Sequence, residues 1–201
     1  MKFNKPEIYQ CYRLIIDRDL YEYIMTLAQE SAPNEILGMG AISKKYSANR
    51  TDFILEEVYI PEQFVLPGYC KFKEGAQNEI IEEVIASGGD PEKLCFRWHS
   101  HGNGSVYFSP VDESDIGNCD SPYVVNLVVN AEREMIARLD VFEPVHFHNI
   151  PVSIIIEPVK DKELVAECRA DIEACCEPMP PKTVYRDIKL TGECGPTTSF
   201  D

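Results

Sequence analysis

The chain has 201 residues, 44% of them apolar, which is enough for one substantial core, so one domain is expected. Its 34 acidic and 19 basic side chains give a formal net charge of −15, which repels phosphate backbones and argues against nucleic-acid binding. There is no apolar run of about 18 residues to cross a membrane, and Met1-Lys2-Phe3-Asn4-Lys5-Pro6-Glu7 lacks the apolar stretch of a signal peptide, so no membrane partner and a cytoplasmic location are expected.

Residues 12–16 read as a short strand, and Asp17 as the N-cap of a helix with Leu20, Ile24, Leu27 and Ala28 at helical spacing. Pro33 stops that helix. Glu35 then opens a strand over 36–43, at a rigid helix-to-strand junction; a glutamate there is ordinarily a solvated charge. A polar turn is predicted over 44–50 and a second strand over 52–60, pairing with the first as a hairpin. Pro61-Glu62-Gln63 and Leu66-Pro67-Gly68-Tyr69 break the pattern and predict an irregular segment before a helix over 76–86. Ser87-Gly88-Gly89-Asp90-Pro91 is a turn.

The next stretch carries the chemistry. Leu94, Phe96 and Trp98 alternate with Cys95, Arg97 and His99, as in a strand half buried in a sheet, with Trp98 in the core. His99 and His101 then project to one side. Ser109-Pro110-Val111-Asp112 reads as a helix start, Ser109 as N-cap and Pro110 at the first helical position, which fixes Asp112 on the first turn. Two histidines and a carboxylate, with one position left for water, form the ligand set of a catalytic zinc site. A surface histidine pair beside a capped helix is the plainer reading.

A short helix to about residue 118 and strands over 123–130, 135–142 and 152–156 follow. His146 and His148 repeat the His-x-His pattern without a later acid at the same spacing and read as surface residues. Residues 160–176 predict an amphipathic helix with Cys168, Cys175 and Cys176 on its apolar stripe, ended by Pro178, Pro180 and Pro181. The remainder, with Cys194, predicts a loosely ordered tail. The eight cysteines are scattered and lack zinc-ribbon spacing, which argues for reduced thiols.

His99-Ser100-His101, seven residues, Ser109, two residues and Asp112 resemble the motif of the JAMM (MPN+) metalloproteases, and Glu35 stands where that family has its upstream glutamate. The likeness spans roughly residues 12–157. It implies an α/β (α+β) fold of the JAB/MPN type: a central mixed β-sheet flanked by helices, with cytidine-deaminase-like layering. It also implies a metalloprotease domain over 1–158, with 159–177 as a C-terminal helix packed on it and 178–201 as the tail. One zinc ion (Zn2+) would be held by His99, His101 and Asp112, with Glu35 carrying the proton and Ser109 steadying the oxyanion.

The implied activity is hydrolysis after the C-terminal Gly-Gly of a ubiquitin-like or sulfur-carrier-like protein. Only ten residues separate Asp112 from Tyr123, too few for the second insertion of polyubiquitin-specific members. A phage or cell-wall peptidase is the alternative within the same chemistry, and a metal-free MPN scaffold the alternative outside it. The RadC-like branch is disfavoured, because its His-Asn-His-Pro-Ser-Gly is His-Ser-His-Gly-Asn-Gly here and the chain is acidic.

Overall fold

Asp17 starts the first helix in the computed structural model, which describes residues 11–116 and 121–158, all within the unit Met1–Val159. The Asp17 carboxylate accepts the Asp19 N–H at 2.8 Å, between β1 (Tyr12–Ile16) and α1 (Arg18–Ser31). The expected helix over 160–176 and the tail after Pro178 lie outside the described residues.

β2 (Leu37–Ser47) and β3 (Arg50–Tyr59) pair as the expected antiparallel hairpin, but the ladder runs on to Ser47↔Arg50. The predicted turn over 44–50 therefore shrinks to Ala48 and Asn49. Much of this outer part faces solvent, so the ladder continues where the apolar pattern has faded.

The segment expected to be irregular is a second hairpin, β4 (Gln63–Leu66) with β5 (Tyr69–Phe72). Leu66-Pro67-Gly68-Tyr69 is its turn. Proline presets φ at the second position, and Gly68 at φ +79° takes the left-handed conformation of the third, so the breakers join two strands instead of ending order.

α2 (Ala76–Ala86) matches its predicted bounds, and a 3-10 turn (Pro91–Lys93) leads into β6 (Phe96–Ser100). After α3 (Pro110–Ile116) come β7 (Tyr123–Val129), β8 (Met135–Val141) and β9 (Phe147–Ile156). β9 starts five residues earlier than predicted. Its first half is mostly solvent-exposed and shows no alternation.

The sheet is mixed, as expected, and it closes into a barrel in the order β1-β3-β2-β6-β7-β8-β9, with β9 returning to β1 in parallel. The core joins Leu14, Phe53, Phe96, Trp98, Val125, Leu127 and Leu139 to Ile24, Met25 and Ala28 of α1. A smaller cluster packs Val84 of α2 against Met39 and Ala41 of β2. Among the described residues no helix is long and apolar enough to cross a membrane.

The contact of β2 with β6 positions the residues around His99. Gly38 lies opposite Trp98 across β2 and β6, and a Cβ there would sit 2.3 Å from the indole nitrogen, so only glycine lets β2 lie flush on the buried ring. The antiparallel register pairs Leu37 with His99, and the Ser100 N–H donates to the Ile36 carbonyl at 2.8 Å. Glu35 stands two residues before Leu37, at the His99 end of that ladder.

Candidate metal centre

Phe96, Trp98 and Ser100 point into the core, which leaves Arg97 and His99 on the opposite face of β6. His101 follows the strand end, held by its N–H donating to the Val129 carbonyl at 2.9 Å. Gly102 at φ +52° turns the chain against Pro33, where any Cβ would meet the proline carbonyl oxygen at 2.5 Å. The loop after β6 thus packs on the segment that leads to Glu35.

His101 Nδ1 lies 2.8 Å from the Ser105 carbonyl oxygen, which can only accept. Nδ1 therefore carries the hydrogen, and Nε2 is the bare nitrogen that faces His99 Nε2 at 3.1 Å. The Tyr107 ring meets His101 edge-on, with centroids 4.8 Å apart.

Ser109 and Asp112 cap α3 reciprocally. The Ser109 N–H donates to Asp112 Oδ2 at 2.6 Å, and the Asp112 N–H donates to Ser109 Oγ at 3.3 Å. Accepting that bond leaves the Ser109 hydroxyl proton free to donate elsewhere. Asp112 Oδ1 lies 3.3 Å from His99 Nε2, and Oδ2 lies 3.9 Å from His101 Nε2.

Ligand atoms about 2.0–2.1 Å from a tetrahedral zinc stand about 3.3 Å apart, close to these separations. The donor set fits such an ion: two imidazole nitrogens and one carboxylate oxygen, all within 4.8 Å of one another. His99, His101 and Asp112 are the metal-competent cluster found among the described residues. Burial pushes the Asp112 carboxyl up, but the neighbouring His101 and His99 imidazoles outweigh it and hold the group well below the usual carboxylate range. His101 is raised, chiefly by Asp112.

A cleft of about 560 Å³ opens over this cluster, and Glu35, His99, His101, Ser109 and Asp112 all line it. All five residues singled out in the sequence therefore meet in one place. Glu35 is partly buried, and its N–H donates to the Leu66 carbonyl at 3.1 Å. The Gln63 side chain ties the same junction down, accepting from the Leu37 N–H at 2.9 Å and donating to the Leu37 carbonyl at 2.8 Å. Burial raises the Glu35 pKa, opposed by His101 and His99. Cys70 also lines the cleft, but burial pushes its thiol up to about 12, so it is not a thiolate nucleophile at neutral pH.

Sequence reasoning missed what lies behind α3. Arg138, 2% exposed, donates to both oxygens of Glu113, next to Asp112, and from Nε to Asp140 Oδ2 at 2.8 Å. Its guanidinium also covers the Phe108 ring at 4.3 Å. Asp140 is fully buried and takes further bonds from Asn126 Nδ2 at 3.0 Å and the Asn149 N–H at 2.9 Å. The one signal available was charge at alternate positions of an otherwise apolar strand.

This network clamps the helix that presents Ser109 and Asp112. Arg138→Met is expected to cost about 3–5 kcal/mol in denaturant unfolding, because it strands the Asp140 charge in the core. It is also expected to weaken zinc binding about 10–100-fold in a chelator competition. Unchanged stability and zinc affinity would show that the clamp is idle.

His146 and His148 are exposed, as read from the sequence, with rings set edge-on to Phe142. Cys11, Cys70 and Cys95 are not in disulfides.

The solution structure of a Desulfitobacterium hafniense protein is similar at 13% identity, with a TM-score of 0.48, covering 74% of this chain and 96% of that one. No curated protein matches. The family model described as prokaryotic homologs of the JAB domain matches residues 17–140, from the cap of α1 through Asp140 and so across every residue of the cluster. The chain belongs to the prokaryotic homologs of the JAB domain.

Proposed function

We propose that the protein is a zinc-dependent peptidase or isopeptidase that cuts after the C-terminal Gly-Gly of a ubiquitin-like or sulfur-carrier-like protein. The observation that carries this reading is the meeting of His99, His101 and Asp112 on the wall of a cleft shared with Glu35 and Ser109. Zinc, when bound, supplies a water acidic enough to attack an amide near pH 7.

The chain's own groups do the rest. Glu35, which lines the same cleft, takes the proton of the attacking water and hands it to the departing amine, whose expulsion is otherwise slow. Ser109 has a hydroxyl hydrogen to spare and donates it to the oxygen that gains charge as the carbonyl is attacked. Burial and the neighbouring Asp112 favour a Glu35 that holds a proton, whereas the two imidazoles favour its release. That balance suits a group that must do both.

The substrate tail lies extended in the cleft. β5 has β4 as its ladder partner among the described residues, and Tyr69–Phe72 line the cleft, so its backbone is available to an added strand. A glycine at the cut position lets the backbone approach the ligand cluster without a Cβ in the way. A scaffold has no use for all five polar groups in one cleft.

A panel of ubiquitin-like fusions tests this, with the terminal Gly-Gly changed to Gly-Leu or Leu-Gly, assayed with zinc and after chelation. Gly-Gly is expected to be cut at least about 100-fold faster than either variant, and only with zinc. Equal cutting of all fusions, or cutting only of a D-amino-acid cell-wall peptide, would reject the ubiquitin-like substrate and leave the zinc hydrolase intact.

A further inference from the structure

Arg97 precedes His99 by two residues on the same face of β6 and lines the same cleft. The other described arginines are all in ion pairs: Arg13 and Arg50 with Asp52, Arg18 and Arg133 with Glu22, and Arg138 with Glu113 and Asp140. The Arg97 side chain makes no hydrogen bond, ion pair or ring contact among the described residues, in a chain with 34 acids. Asp115 also lines the cleft without pairing to it.

The position is fixed from both sides, since Arg97 is in register with Met39 of β2 and Asn126 of β7. A partly buried guanidinium held on a rigid strand and left without a carboxylate is prepared for one that arrives with a ligand.

The spacing says where that carboxylate belongs. Two residues along a strand span about 6.6 Å, which separates Arg97 from His99 along β6. If the scissile carbonyl is at the His99 cluster, a carboxylate on the next residue of the substrate lies about 3.6 Å further along the chain. The arginine side chain spans what remains.

We infer that Arg97 is a carboxylate subsite, which selects substrates whose residue on the amine side of the cut bond bears a carboxylate. That group is the α-carboxylate of a single C-terminal residue or the side chain of an aspartate or glutamate. The placement rests on the peptidase reading for the position of the cut bond; the anion preference of Arg97 does not.

The test uses the full-length, zinc-loaded protein with Glu35→Gln, so that bound peptides persist. Dye-labelled peptides ending in Gly-Gly-Ala as the free acid, Gly-Gly-Ala amide and Gly-Gly-Asp amide are titrated by fluorescence anisotropy. The free acid is expected to bind at least about tenfold more tightly than the alanine amide. Adding Arg97→Gln reduces that ratio to less than about twofold, and Arg97→Lys retains part of it.

An aspartate amide that binds like the free acid assigns the subsite to side-chain carboxylates, and one that binds like the alanine amide assigns it to the chain terminus. Equal binding of acid and amide, no measurable binding of the acid, or a preference that survives Arg97→Gln overturns the inference. Should the parent cut none of the three while the preference depends on Arg97, the subsite stands and the peptidase reading fails.

Discussion

Glu35→Gln is expected to lower turnover by about 10²–10⁴-fold, the range for a positioned general acid-base group, while fold and metal content stay as in the parent. The amide keeps the shape of the carboxylate but cannot take up the proton. The backbone at this position is held independently of the side chain, by the Glu35 N–H on Leu66 and by the Gln63 side chain on Leu37, so the change leaves the junction intact. Steady-state kinetics on a Gly-Gly fusion, with elemental analysis of the same preparation, decides the matter. A variant that keeps more than about a tenth of the parent rate would move proton transfer to another group.

Asp112→Ala is expected to fail at an earlier step. The parent should hold one zinc per chain, and this variant should lose more than about 100-fold in zinc affinity, since it removes a ligand and not merely a group supporting one. It also removes the acceptor for the Ser109 N–H, so part of any loss of stability belongs to the cap, typically about 1 kcal/mol. Asp112→Asn separates the two effects, because its side-chain oxygen still caps the helix while the negative charge at the metal is gone. Zinc bound by Asp112→Ala as tightly as by the parent would remove Asp112 from the ligand set. Zinc absent from parent protein purified without chelator would remove the metal reading altogether.

Local features were the most legible in the sequence. The cap and first turns of α1, the bounds of α2 and the strand-loop-helix unit from Phe96 to Ile116 follow from short-range spacing, where each residue's role depends on neighbours a few positions away. His99 and His101 share a side by strand pleat, and Ser109 and Asp112 share a turn by capping, so three candidate ligands and a hydroxyl were readable in one stretch. The β4–β5 hairpin was misread because Pro67 and Gly68 serve equally to break a chain or to turn it, and only the ladder between Gln63–Leu66 and Tyr69–Phe72 tells which.

What sequence by itself determined here is the chemistry of the candidate ligand set and the rigid pieces that carry it, because backbone geometry at short range is nearly independent of the rest of the chain. Tertiary structure alone decided the partners at long range. Glu35 reaches the cluster through the β2–β6 register, which the packing of Gly38 on Trp98 allows. Arg138 holds α3 from a strand 25 residues beyond Glu113. Among the described residues Arg97 is left without an acid only because of how neighbouring strands and helices are placed. Such pairings depend on which faces meet when the sheet closes, and spacing along the chain carries no trace of that.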